Sequence, residues 1–247
     1  MNIKTIFIDP NQQRLRAGWR LLIQTIFMTM LGIVGQVILF FVPAAPSPSS
    51  NGLLIFQLIE LIGVTASIFL MRRLFDRRSL VSLGLKINLQ MLKDLFVGML
   101  IPVLMMGSIY LLEWSFGWLE FQGFAWDFET PSRVISKTLP LLLAFILVGW
   151  NEELLSRGYH LQTLASGLNL FWGVIISAII FAVLHLGNPH SSWISTLGII
   201  LAGLFLGYAY LRTKQLWLPI GLHIGWNFFE AVIFGFPVSG MDLYSLI

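Results

Sequence analysis

The chain has 247 residues, of which 57% are hydrophobic and only 11% charged, with no cysteine and a formal net charge of +3. Soluble domains carry about 25% charged residues, so this composition excludes an ordinary soluble protein and points to one built for a membrane. The missing cysteine also excludes disulfides, thiolate nucleophiles and Cys-ligated zinc.

In chain order, a polar, basic opening from Met1 to Arg20 leads into an apolar stretch long enough to span, with no small-residue cleavage site after it, so no removable signal peptide is expected. Residues 18–42 form the first expected span, entered past Arg14, Arg16 and Arg20 and left by an uncharged turn over 43–50. The second covers 53–71, holds Glu60 as an interhelical hydrogen-bonding group, and is followed by Arg72, Arg73, Arg77 and Arg78. Residues 80–93, of mixed pattern, are expected to lie on the membrane surface. The third span is 95–112, and 113–130 forms an aromatic, acidic loop facing outward. The fourth runs over about 134–165, the fifth over 170–186, the sixth over 193–211 and the seventh over 216–236, with turns at 187–192 and 212–215.

These stretches approach or exceed the roughly 20 residues that cross a bilayer. The expected fold is an all-α polytopic membrane protein, about seven transmembrane helices in a single bundle with an intramembrane polar cavity. Residues 1–133 supply the N-terminal helices and interfacial loops, and 134–247 the helical core that carries the polar motifs, the two forming one continuous bundle. With the N-terminus in the cytoplasm, thirteen of the fifteen Lys and Arg fall inside and only Arg133 and Lys137 outside. The basic balance thus reflects orientation in the plasma membrane and contact with anionic headgroups, and no nucleic-acid partner is needed to explain it.

Polar residues within the apolar spans carry the chemistry. Glu152 and Glu153 are about 100° apart on a helix, whereas Glu153 and Arg157 are i and i+4. Glu153 and Arg157 are therefore expected to form a structural ion pair while Glu152 faces a polar cavity. His185 lies one turn from Phe181, and His223 shares a helical face with Asn227 and nearly with Glu230. At a rise of about 1.5 Å per residue, Glu152 and His185 lie about 22 and 27 Å from a turn near Gly167, so they can meet, nearer the cytoplasmic side. Gly203 and Gly207 suit close helix packing.

Glu152-Glu153-x-x-x-Arg157, Phe181-x-x-x-His185 and His223-x-x-x-Asn227, in that order, resemble the CPBP family of intramembrane endopeptidases, which includes the type II CAAX prenyl endopeptidases and bacteriocin-processing and immunity relatives. The likeness covers about 139–238. It implies that 134–247 is a catalytic core in which Glu152 and His185 activate water for amide hydrolysis, while His223 and Asn227 stabilise the oxyanion. The substrate would be a hydrophobic, membrane-associated peptide or protein, prenylated or not.

That chemistry is also coherent on its own terms, since amide hydrolysis needs a base for water and donors for the developing oxyanion. No cofactor is expected. The alternative is zinc held by Glu152, His185 and His223 with an open water position. Outside enzymology, the competing readings are a catalytically silent scaffold or immunity protein of the same fold and a proton-coupled transporter. The transporter is disfavoured because the two halves of the chain look dissimilar.

Overall fold

A computed structural model describes residues 4–10, 12–41 and 50–247. The first helix, α1, is Ala17–Phe40. The uncharged turn expected over 43–50 falls, apart from residue 50, outside the described residues. Next come α2, Ser50–Leu70, prolonged by the π-helical Met71–Phe75, and α3, Leu89–Ser115. Helix α4, Pro131–Glu153, continues through a π-helical segment, Leu154–His160, and a last α-helical stretch, Leu161–Gly167. Then follow α5, Leu170–Leu184, α6, Trp193–Thr213, and α7, Trp217–Phe228, which ends in a π-helical turn, Phe229–Ile233. A two-residue hairpin pairing Ile8–Asp9 with Arg14–Leu15 is the one sheet among the described residues, so the protein is all-α and polytopic.

Helices α1 to α4 and α6 are long and apolar enough to cross a membrane. The remaining two are shorter than the sequence suggests. Helix α5, of 15 residues, rises only about 22 Å and stops before the Gly187-Asn188-Pro189 turn, which leaves His185 as its C-cap. Local chemistry sets the other boundaries. Asn88, Asn169 and Ser192 cap α3, α5 and α6 by accepting from Met91, Trp172 and Ser195 N–H at 3.1, 3.0 and 3.1 Å. Lys214, at φ 54°, ends α6.

The segment 80–93, expected as one surface-lying stretch, is divided between the core and the next helix. Leu83 and Leu85 are buried in the main apolar cluster, and residues from Leu89 onward already belong to α3. The cause is Gly84, whose φ of 106° turns the chain so that its carbonyl accepts from Leu216 N at 2.8 Å, clamping the loop onto the α6–α7 turn.

Helix α7 lies among α3, α4 and α6. It meets α3 backbone to backbone: a Cβ on Gly98 would stand 2.7 Å from the Leu218 carbonyl oxygen, and one on Gly221 2.6 Å from that of Leu95. Only glycine permits this approach, and it fixes where α7 presents His223 and Asn227. Gly203 likewise brings α6 against Ala178 of α5, where an added Cβ would meet another at 3.0 Å. The apolar cluster containing Leu83, Leu154, Tyr159, Leu161 and Leu216 closes the end of the bundle at the α6–α7 turn.

Candidate active site

Three helices deliver the polar side chains that the sequence singles out. Glu152 and Glu153 end the regular part of α4, and the chain widens into a π-helix directly after them, a feature often found at functional positions. His185 projects from the end of α5, and His223 and Asn227 from α7.

Glu153 is fully buried, and its Oε1 accepts from Arg157 Nη1 at 2.7 Å, so the expected ion pair is present. The Arg157 guanidinium also donates to the Gly203 carbonyl at 3.1 Å and lies 4.4 Å from the centre of the Phe181 ring. It therefore ties α4 to α5 and α6. The same Glu153 Oε1 accepts from His223 Nδ1 at 2.7 Å, a contact that the i,i+4 spacing does not reveal. Glu153 thus orients an imidazole as well as neutralising an arginine.

Glu152 points the other way, with its side chain 23% exposed to a cavity. Its Oε2 stands 3.4 Å from His185 Nε2 and 3.7 Å from His223 Nε2, and makes no hydrogen bond of its own. The tautomers follow from the partners. His185 Nδ1 lies 2.7 Å from the Phe181 carbonyl, which can only accept, so Nδ1 carries the hydrogen. The carboxylate of Glu153 imposes the same tautomer on His223. In their neutral forms both Nε2 atoms therefore present lone pairs toward Glu152. Two acceptors around a carboxylate make a seat for a proton.

The cavity has a volume of about 690 Å³. Glu152, His185, His223 and Asn227 all line it, and Glu230, from the π-turn of α7, lies on the same wall. The Asn227 amide makes no hydrogen bond among the described residues, so its donors are free to serve a bound group. The far end of the cavity is the turn containing Asn188–Ser191 together with Pro237–Gly240. Ser195, on its wall, lies 18 residues from the end of α6, about 27 Å along the axis from the closed end. The cavity also opens sideways between α3 and α6, where Met105 and Leu201 both line it and are exposed. The access route thus leads away from the basic end, although the reactive atoms themselves lie deep.

Sequence reading missed a polar support behind Glu152. Asn151, fully buried, donates its amide to both the backbone carbonyl and the side-chain oxygen of Gln57 at 3.1 Å, and Gln57 stands one turn before Glu60 on the same helix. Gln57 and Glu60 are i and i+3 in an otherwise apolar span, a pattern that could have flagged them together. Among the described residues no group of three His, Asp or Glu has the arrangement of a metal site.

Fold and site together define a polytopic helical membrane protein with a carboxylate–imidazole centre at the base of a laterally open cavity. Residues 134–229 match the family described as type II CAAX prenyl endopeptidase Rce1-like, which bears out the resemblance to CPBP proteases drawn from the three motifs. A Bacillus subtilis (strain 168) protein named "Putative membrane peptidase YdiL" is 29% identical over 82 residues, 33% of this chain and 32% of that relative. The alignment therefore spans about a third of the relative's length. No solved structure matches.

Proposed function

We propose that this protein is an intramembrane endopeptidase that hydrolyses a peptide bond in a hydrophobic, membrane-associated peptide or protein, prenylated CAAX-like chains being one such class. The observation that carries this reading is the convergence of Glu152, His185 and His223 beside the free amide of Asn227 in a single cavity.

In the proposed step, water in the cavity gives a proton to the Glu152 carboxylate, and its oxygen attacks the peptide carbonyl carbon. The His185 imidazole, held by the Phe181 carbonyl so that Nε2 faces Glu152, shares that proton and passes it to the leaving amine as the C–N bond breaks. Asn227 donates to the developing oxyanion, and His223 adds an Nε2–H donor when doubly protonated. Glu153 and Arg157 hold the frame. No cofactor enters this scheme. Zinc at Glu152, His185 and His223 remains the competing chemistry, and loss of activity on chelation with recovery on adding zinc would establish it.

The substrate reaches Glu152 through the lateral opening between α3 and α6. The two segments 1–133 and 134–247 act as one body, the first walling a cavity whose reactive groups come from the second. The protein sits in the plasma membrane with its N-terminus in the cytoplasm. Because the chain has no cysteine, an introduced Ser132→Cys should be labelled by an impermeant reagent on intact cells, and Lys93→Cys only after permeabilisation.

The decisive experiment compares membrane proteomes and released peptides from cells expressing wild type or Glu152→Gln, which keeps size and loses the base. A cleavage present only with wild type supports the reading and names the substrate. Equal cleavage by the purified variant, or equal complementation of a deletion, would leave a silent scaffold in its place.

A further inference from the structure

A second polar centre lies at the other end of the bundle, where α1 begins and α2 ends. Asp76 is buried among three arginines: its Oδ1 accepts from Arg20 Nη1 at 2.6 Å and lies 3.4 Å from Arg14 Nη1, and its Oδ2 accepts from Arg72 Nη1 at 3.2 Å. Arg78, exposed, makes no ion pair among the described residues. Three guanidinium groups thus surround one carboxylate, with that of Arg78 beside them on a pocket wall. Asp9 is the other acid nearby, on the hairpin opposite Arg14, and it accepts from Gln12 N.

The positive charge is not fully compensated. Arg20 and Arg72 are both almost wholly buried, and the Nε of each lacks a hydrogen-bond partner. The Arg14 guanidinium is held below its ordinary value first by burial and then by neighbouring Arg20, with Asp76 acting the other way. Beside this cluster is a pocket of about 460 Å³ lined by Gln12, Arg14, Asp76, Arg78 and Ser166. Ser166 accepts from Arg20 Nη2 at 2.7 Å, so the pocket wall is tied to the buried arginine behind it.

The surroundings are those of a membrane interface. Trp19 packs against Phe7 in a tilted arrangement with ring centroids 5.0 Å apart, and its indole N–H donates to the Ile6 carbonyl at 3.1 Å. Ile6 and Phe7 are exposed, as are Leu22 and Ile26 further along α1. Aromatic anchors of this kind settle at headgroup depth, and basic pockets between helices take lipid phosphates.

We infer that the pocket between the hairpin, Arg78 and Ser166 binds a phosphate group, supplied by an anionic phospholipid headgroup whose acyl chains lie along α1. Arg14 and Arg78 contact the phosphate directly, and Arg20 and Arg72 hold Asp76 and Ser166 in place behind it. The site is separate from Glu152 and does not depend on the chain's being a protease.

The test uses the full-length protein in a neutral detergent, with its thermal midpoint followed on adding phosphatidylglycerol, phosphatidylcholine or inorganic phosphate. Phosphatidylglycerol should raise the midpoint of wild type where phosphatidylcholine does not. Arg78→Gln should weaken binding about tenfold, the worth of one charge-assisted hydrogen bond, and Arg14→Gln/Arg78→Gln should abolish the response. Protection by inorganic phosphate equal to that by phosphatidylglycerol, and lost in the same variants, would support the site and identify a free anion as its ligand. Protection by neither, equal protection by both lipids, or protection unchanged in Arg78→Gln would overturn it. If the double variant fails to fold, Arg78→Gln alone decides, because its exposed guanidinium supports no other contact.

Discussion

The two buried ionic centres of this bundle are built from the same materials and end in opposite states. Around Asp76, cations outnumber the carboxylate and the unmet capacity lies in guanidinium donors. Around Glu152 and Glu153, two carboxylates face one arginine and two imidazoles fixed as acceptors, and the unmet capacity lies in one oxygen of each carboxylate, that of Glu152 alone facing the cavity. Burying charge in a membrane is costly, so each centre uses hydrogen bonds to neutralise most of itself and leaves one function open. Excess guanidinium charge suits an anion. A spare acceptor between two imidazoles suits a proton.

The largest effect should come from removing that acceptor. Glu152→Gln is expected to lower turnover about 10²–10⁴-fold, the range of general-base catalysis, with an unchanged melting temperature. A melting temperature that fell with the activity would move Glu152 into the structural class of its neighbour. Arg157→Ala tests the converse, since stranding Glu153 in the interior should cost about 3–5 kcal/mol and reduce the amount of folded protein in membranes. Normal abundance with activity abolished would instead make Arg157 part of the chemistry.

A smaller loss, about 10²–10³-fold in kcat, is expected of Asn227→Ala if its free amide meets the oxyanion, and KM should change little. Gly98→Leu would push α3 from α7 and cost about 1–3 kcal/mol by overpacking, shifting His223 and Asn227 together.

The smallest effect lies outside both centres. Glu129 accepts from Lys137 at 2.7 Å, and this hydrogen bond holds its carboxyl below the usual range. A depressed carboxyl stabilises only while ionised, so the contribution is complete above its unfolded value and is lost as pH falls through the folded one. Lys137→Ala should therefore lower the melting temperature slightly at neutral pH, with the difference vanishing in acid.

Much of this arrangement is written locally. The apolar runs, their lengths and the caps at Asn88, Asn169 and Ser192 follow from composition and near-neighbour chemistry, and the i,i+4 relation of Glu153 and Arg157 needs only helical geometry. By itself the sequence also determined that Glu152 and Glu153 face apart and that Glu152, His185, His223 and Asn227 are candidates for one site. Tertiary structure alone decided that Glu153 grips His223, that Asn151 and Gln57 brace the motif from α2, and that Leu83 and Leu85 belong to the core. It also decided that the cavity opens away from the basic end, where the arginines converge on Asp76. Each of these depends on which helices touch and at what height. Those heights are set by backbone contacts at Gly84, Gly98 and Gly221, where the absence of a side chain leaves no periodicity to read.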